Sequence, residues 1–297
     1  MNVSKHMPGV GEPGIDDRSF RQIAAIVHGE FGIALSENKR GLVVSRLSRR
    51  LRDLRLPDFE AYCSYLDKAE GRDERRQMCS LLTTNVTRFF REAHHFRVLV
   101  DEVLPPLVAR ARAGGRVRLW SAGCSSGEEP YSIALTVLQL CPDAPRRDIR
   151  VLGTDIDPQV IRRGREGVYD LREADIPDDL RKAHFIPEEA RPGTWRVGTD
   201  LRKLVTLAEL NLMDDWPMKG RFDVIFCRNV VIYFDAETQQ RLWTRFAEAL
   251  AVPGGTLFLG HSERVTGPAT DRLTPVGVTQ YRRSEKTGAV EIEGARR

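Results

Sequence analysis

A run of apolar residues long enough to cross a bilayer, about 20 in a helix, is missing from this 297-residue sequence. Residues 1–17 contain glycine and proline but no apolar segment of the kind that signal peptides carry. We therefore expect a cytoplasmic protein in which residues 1–15 form a flexible lead-in.

Cysteine pairs at metal-ligand spacing are also missing. None of the five cysteines belongs to a C-x-x-C pair. Such pairs are typical of zinc sites, so these residues instead indicate reduced thiols in the core. His94 and His95 are adjacent, and neighbouring residues of a helix point about 100° apart. We therefore expect structural histidines there and no metal.

A large excess of charge of one sign is absent. Lysine and arginine number 46 against 42 acidic residues, a net charge of +4. That excess is too small to indicate nucleic-acid binding by itself. Basic residues concentrate in 39–55, where Arg46, Arg49 and Arg50 fall beside the apolar stripe of a predicted helix. This face is either a solvated surface or a docking site for an acidic partner.

What the sequence does contain is two regions of different pattern. Residues 16–85 show helical periodicity alone, which predicts a helical N-terminal domain. Over 86–284 short apolar strands alternate with helices, which predicts an α/β fold with a doubly wound parallel sheet. The last strand is predicted over 276–282, and the polar tail 285–297 is expected to be flexible.

Residues 120–132 run from the end of the first predicted strand through a Gly/Ser-rich turn into a helix. Small residues there let a ligand approach the backbone closely. Glu128 and Glu129 suit the positive end of the helix dipole but would repel a pyrophosphate. The turn therefore predicts a ligand that has a positive centre and no phosphate, such as S-adenosylmethionine.

Two aspartates follow the second predicted strand. Asp155, at its end, is placed to accept hydrogen bonds from ribose hydroxyls. Asp157 is expected to cap the next helix.

Five segments of the sequence resemble the chemotaxis-receptor glutamate O-methyltransferases, the CheR family. They are residues 83–92, 121–132, 154–157, 222–235 and 260–263. The matching segments occur in order over nearly the whole chain. Several long motifs in register are more specific than one glycine-rich turn.

The resemblance implies a class I methyltransferase domain, Rossmann-like, that carries a small inserted antiparallel β-subdomain. Residues 171–202 interrupt the strand–helix alternation and would hold that insertion. In some family members the subdomain binds a short peptide at a receptor's C-terminus. Other members have a shortened loop in the subdomain and lack this contact. Residues 187–194 form this loop here, and their sequence is compatible with either group, the members that bind the receptor peptide or those that do not.

The implied reaction transfers a methyl group from S-adenosylmethionine to glutamate side chains of chemoreceptors. It forms glutamyl 5-O-methyl esters for sensory adaptation and leaves S-adenosylhomocysteine. The implied partner is the cytoplasmic helical domain of a receptor, and we expect the enzyme to be a monomer.

The family's cofactor contacts correspond to Asn85, Thr87, Arg91, Glu129, Asp155, Asn211, Leu212, Asn229 and Val230. Arg91 and Tyr233 match positions linked to catalysis or substrate placement. The planar guanidinium of Arg91 suits a carboxylate, which is either that of the substrate or that of the cofactor's methionine moiety. The hydroxyl of Tyr233 suits the incoming carboxylate.

Two other functions are alternatives to this one. A nucleic-acid methyltransferase acting on adenine amino groups would be expected to show an Asp/Asn-Pro-Pro-aromatic tetrapeptide, but residues 228–231 read Arg-Asn-Val-Val. A non-catalytic module would bind the cofactor or a receptor without turnover. The presence of both Arg91 and Tyr233 favours the enzyme.

Overall fold

The computed structural model describes residues 14–172 and 174–285. The predicted flexible lead-in and tail lie almost wholly outside these described residues. The chain divides into two compact units, one ending at Thr84 and one beginning at Asn85. None of the described helices is long and apolar enough to cross a membrane.

The first unit is helical. It contains α1 (Asp17–Phe31), α2 (Arg40–Asp53), α3 (Phe59–Leu66) and α4 (Arg72–Leu82), with 3-10 turns at Glu37–Lys39 and Ala69–Gly71. The side chains of Asp16 and Asp58 each accept a hydrogen bond from a backbone N–H of the helix that follows, which satisfies a donor of the first turn. The apolar stripe of α2, including Val43 and Leu47, is fully buried. The predicted all-helical domain is confirmed.

The second unit alternates strands and helices. Its helices are α5 (Ala93–Val98), α6 (Leu104–Arg112), α7 (Glu128–Leu140), α8 (Pro158–Glu166), α9 (Asp178–His184), α10 (Thr199–Leu204) and α11 (Ala236–Ala249). Its strands are β1 (Val117–Ala122), β2 (Ile149–Asp155), β3 (Val168–Asp170), β4 (Phe185–Pro187), β5 (Thr194–Val197), β6 (Val205–Glu209), β7 (Val224–Cys227), β8 (Thr256–Leu259), β9 (Leu273–Gly277) and β10 (Gln280–Arg283).

Seven strands form the main sheet, in the order β6-β2-β1-β7-β8-β10-β9. The first five are parallel, and β10 pairs antiparallel with both β8 and β9. The chain order reverses at β1, and in open α/β sheets ligands bind at the carboxyl ends of the strands beside such a reversal. The predicted doubly wound sheet is confirmed, and its ligand is expected at the carboxyl ends of β1 and β7.

The core lies on both faces of this sheet. β7 and β8 are buried along their whole length, as strands covered by helices on both faces must be. The five cysteines are free and buried, as predicted; they are Cys63, Cys79, Cys124, Cys141 and Cys227.

Two sequence boundaries differ from the structure. Residues 276–282 do not form one final strand but belong to a hairpin of β9 and β10, with Thr279 in a left-handed conformation (φ 51°) between them. The exposed face of β9 lacks the apolar alternation that identifies a strand.

The inserted subdomain is a three-stranded antiparallel sheet in the order β3-β5-β4. It begins with β3 at Val168, ahead of the predicted start at residue 171. Its last strand along the chain, β5, ends at Val197, before the predicted end at residue 202. A strand as short as β3 shows no periodicity, so the sequence pattern could not reveal it.

Candidate functional site

The loop after β1, residues 122–127, turns sharply at the carboxyl edge of the sheet. Gly123 and Gly127 have positive φ angles of 79° and 97°, and Ser125 has 49°. A Cβ atom on Gly123 would lie 2.3 Å from Cγ2 of Val230. Only glycine fits at position 123, because both the backbone conformation and the close approach of the 229–231 segment exclude a side chain.

Asp155 ends β2 and supports this loop. Its Oδ2 accepts a hydrogen bond from the backbone N–H of Ser125 at 2.8 Å, and its Oδ1 accepts one from that of Asp157 at 3.0 Å. Burial raises the pKa of the Asp155 carboxyl. Asp157 caps α8 by accepting a hydrogen bond from the N–H of Gln159, so its predicted capping role is confirmed.

The loop of residues 85–92 lies along the 122–127 loop. Asn85 Nδ2 donates to Asp157 Oδ2 at 3.0 Å, and the Asn85 carbonyl accepts from Ser125 Oγ at 2.9 Å. Farther along, the N–H of Phe90 donates to Ser132 Oγ at 3.0 Å. These three bonds bring Asn85 and the half-buried Thr87 to the same edge of the sheet as Asp155.

Arg228, directly after β7, connects three parts of the site. Its Nη1 donates to Glu129 Oε2 at 3.1 Å, its Nη2 donates to the backbone carbonyl of Arg91, and Nη2 lies 3.4 Å from Glu92 Oε2. Only 1% of the Arg228 side chain is exposed. Burial raises the pKa of Glu129 although Arg228 lowers it, and Ser121 Oγ donates to the other carboxylate oxygen at 2.7 Å.

Sequence reasoning missed the role of Arg228. The available signal was a charged residue placed directly after a fully apolar strand, where burial requires a partner of opposite charge.

Arg91 and Tyr233 lie on two different loops of the site. Nη1 of Arg91 donates to the carbonyl of Val86 at 2.9 Å, which holds its half-buried guanidinium over its own loop. Tyr233 ends the 3-10 turn Val231–Tyr233 and is half-buried. Arg228 links the Arg91 backbone to the start of the segment that leads to Tyr233.

Asn229 follows β7 in a left-handed conformation, φ 59°. Its Oδ1 is buried and has no hydrogen-bond partner among the described residues. A buried amide oxygen without a donor costs free energy unless a ligand supplies one. Together with the carboxylates of Glu129 and Asp155, it makes this edge rich in acceptors. S-adenosylmethionine offers an ammonium group and ribose hydroxyls as donors, so the residues present fit it.

Asn211 and Leu212 follow β6, which pairs with β2. Asn211 Oδ1 accepts from the backbone N–H of Met213 at 3.0 Å, a turn interaction. Leu212 is buried in the core formed around Trp120. β6 lies beside β2 in the sheet, and these two residues therefore lie one strand farther from β1 than Asp155.

Glu92, His94 and His95 bring their ligand atoms within 4.8 Å of one another. The expectation that adjacent histidine rings point apart is wrong, because their centroids are 4.1 Å apart in the first turn of α5. Arg228 already lies against Glu92, and its charge would repel a metal ion. Burial lowers the pKa of His95 to about 3, and its Nε2 lies 2.8 Å from Thr279 Oγ1. That contact fits a structural histidine.

The three arginines proposed for docking differ in their contacts within the helical unit. Arg46 donates to the carbonyl of Leu81 at 3.1 Å, and to Thr83 and Thr84. Arg50 makes a forked bond to the buried Glu74, which also accepts from Tyr62.

Arg49 alone of the three is exposed. The docking surface of three arginines stays a prediction, and Arg49 is its exposed member. The end of α4 and the buried Glu74 carboxylate engage the other two guanidinium groups.

Two family profiles match the chain. The CheR methyltransferase all-alpha domain matches residues 18–83, and the CheR methyltransferase SAM binding domain matches residues 85–282. The chain is 49% identical over 263 residues to a probable chemotaxis protein methyltransferase of Rhizobium etli, covering 88% of this chain and 98% of that protein. It is 41% identical to the chemotaxis protein methyltransferase of Escherichia coli, covering 90% and 91%.

Proposed function

The chain belongs to the CheR family of chemotaxis methyltransferases, and from that premise we propose that it methylates chemoreceptors on glutamate side chains. The proposed products are a glutamyl methyl ester and S-adenosylhomocysteine. The observation that carries the proposal is the acceptor-rich edge formed by Glu129, Asp155 and the unpartnered Oδ1 of Asn229, within the segment that matches the SAM binding domain.

Bound S-adenosylmethionine supplies an electrophilic methyl group on a sulfonium. We assign its binding to Asn85, Thr87, Arg91, Glu129, Asp155, Asn211, Leu212, Asn229 and Val230. Among them, Glu129 is held by Ser121 and Arg228 and Asp155 by two backbone N–H groups. Preorganised acceptors of this kind bind a donor-rich ligand without first having to order their own side chains.

The acceptor in the reaction is a glutamate carboxylate, with an ordinary pKa of about 4.3. It is ionised at neutral pH, so the site has to position it and exclude water rather than remove a proton. Arg91 suits that task because a guanidinium pairs with a carboxylate in a planar fork. Tyr233 can donate a hydrogen bond from its hydroxyl. Both are proposed to place the substrate in line with the methyl group.

The proposed partner is the cytoplasmic helical domain of a receptor, approached by the enzyme as a monomer. Arg49 on α2 is the candidate docking residue, since its exposed guanidinium is available to a glutamate-rich helix. We propose that the reaction takes place in the cytoplasm.

The experiment is a methylation assay with labelled S-adenosylmethionine and a receptor cytoplasmic fragment from the same organism. Alkali-labile methanol release that requires receptor glutamates supports the proposal. Cofactor binding by calorimetry without methanol release from any receptor would favour a non-catalytic binding module. Label on DNA or RNA instead of receptor would favour a nucleic-acid methyltransferase.

A further inference from the structure

The segment 260–263 is one of the motifs that no part of the proposed reaction uses. Within it, the Glu263 carboxylate accepts four backbone hydrogen bonds. Oε1 accepts from Val230 at 2.9 Å and Val231 at 3.0 Å, and Oε2 accepts from Asn229 at 3.0 Å and Gly260 at 2.7 Å. One side chain thus holds three consecutive N–H groups of the segment after β7.

Glu263 is deeply buried, with 2% of its surface exposed. Burial raises its pKa, and the four N–H donors act in the opposite direction. Gly260 is required beside it, because a Cβ at that position would lie 2.9 Å from Glu263 Oε2 and 2.8 Å from the backbone nitrogen of Asn229. The ends of β7 and β8 are therefore joined closely through one carboxylate.

The segment held in this way carries several parts of the site. Asn229 presents its unpartnered Oδ1, Val230 packs against Gly123 of the 122–127 loop, and the turn that follows ends at Tyr233. Asn229 also has a left-handed backbone, which an asparagine adopts only at a cost. A fixed acceptor behind the chain offsets that cost.

We propose that Glu263 is a positioning residue that presets the 229–233 segment for S-adenosylmethionine by clamping its backbone N–H groups. It does not touch the cofactor or the reacting atoms. The inference rests on the proposed assignment of Asn229 and Val230 to the cofactor site. It adds a role for the segment 260–263.

A carboxylate is needed because all four partners are donors. Glu263→Gln leaves one oxygen for two of them and turns an amide N–H₂ toward the other two. The side chain keeps its shape while the clamp loses half of its acceptors. The matched control is Asp223→Asn at the opposite end of β7. The Asp223 side chain is mostly buried, with 11% of it exposed; it accepts the N–H of Arg118 at 2.8 Å and pairs with Arg110.

The experiment measures S-adenosylmethionine affinity by calorimetry, steady-state kinetics with a receptor fragment, and thermal unfolding for both variants. We expect Glu263→Gln to weaken cofactor affinity about tenfold or more, because two charge-assisted hydrogen bonds are lost. The KM for the receptor should stay unchanged. Asp223→Asn should lower the unfolding temperature with cofactor affinity within about twofold, because its bonds lie far from the site.

Cofactor affinity in folded Glu263→Gln within about twofold of the wild type would overturn the proposal, as would an equal loss in Asp223→Asn. Glu263→Asp, which keeps the charge on a shorter side chain, should give an intermediate affinity. If the variants do not fold, amide hydrogen exchange of the wild type decides. The N–H groups of residues 229–231 should be protected before cofactor is added, and rapid exchange there would refute the clamp.

Calorimetry of cofactor binding needs no receptor. A wild type that binds S-adenosylmethionine but methylates no receptor would defeat the proposed function and leave the role of Glu263 intact. Normal receptor methylation by the wild type, together with wild-type cofactor affinity in Glu263→Gln, would support the proposed function and refute the role of Glu263.

Discussion

Nη1 of Arg228 donates a hydrogen bond to Oε2 of Glu129 at 3.1 Å, between residues that are 99 positions apart in the chain. The pair joins the end of β7 to the first turn of α7, and the same guanidinium binds the carbonyl of Arg91. Three segments that are separate in sequence therefore meet at one buried cation. The site depends on this cation both for its shape and for the charge of its acceptors.

Arg228→Gln should destabilise the protein by about 3–5 kcal/mol, because it leaves Glu129 buried without its cation. Urea unfolding measures this loss. The control Arg172→Gln removes a surface pair with Asp170, where a loss below about 1 kcal/mol is expected. An equal loss of unfolding free energy in both variants would show that the buried pair of Arg228 and Glu129 stabilises the protein no more than a surface pair does.

Arg91→Ala should abolish methyl transfer while the fold survives, since among the described residues its guanidinium donates only to the Val86 carbonyl of its own loop. A receptor methylation assay tests the loss of methyl transfer, and circular dichroism tests whether the variant is folded. Arg88→Ala removes an exposed arginine of the same loop and should retain activity. Wild-type turnover in folded Arg91→Ala would contradict its proposed role.

Arg49→Glu and Arg50→Glu should separate docking from folding. Arg49 is exposed, so its reversal should lower kcat/KM for the receptor several-fold, about 1 kcal/mol, with unchanged unfolding and cofactor affinity. Arg50→Glu sets a second carboxylate against the buried Glu74 and should unfold the helical unit. Unchanged receptor kinetics for Arg49→Glu would refute docking through this residue.

His95 should make stability depend on pH. Its folded-state pKa is about 3, below the ordinary 6.5, so between these values the unfolded chain binds a proton that the folded protein does not. Stability from this group is complete above pH 6.5 and is lost as the pH falls. The loss approaches about 1.4 kcal/mol per pH unit.

The comparison is with His95→Gln, unfolded in urea between pH 5 and 7. The variant should lack this part of the slope, while contributions from other groups are common to both proteins. Glu92 and Arg228 also face the His95 ring, with opposite effects on its pKa. Parallel slopes for wild type and variant would contradict the expectation.

Much of the fold was predictable because its signals are local. Helical periodicity in the first unit, and strand–helix alternation after residue 116, indicated both domains. The turn at Gly123 and the cap at Asp157 depend on the conformations of a few neighbouring residues, which the sequence shows directly. The hairpin of β9 and β10 was missed, since an exposed edge strand carries no apolar alternation.

The sequence by itself determined the division into a helical and an α/β part, most of the strands and helices of the main sheet, and the family to which the chain belongs. Only the tertiary structure decided which side chains bind one another. The sequence pattern places Arg46 and Arg50 on a helix face that could be a docking surface. In the structure Arg46 binds backbone carbonyls and Arg50 binds a carboxylate, and these partners lie 24 or more positions away in the chain. Arg228 and Glu263 showed no role until folding placed buried acceptors and donors around them. The physical reason is that buried charge is tolerated only with partners, and partners distant in the chain are brought together by packing alone.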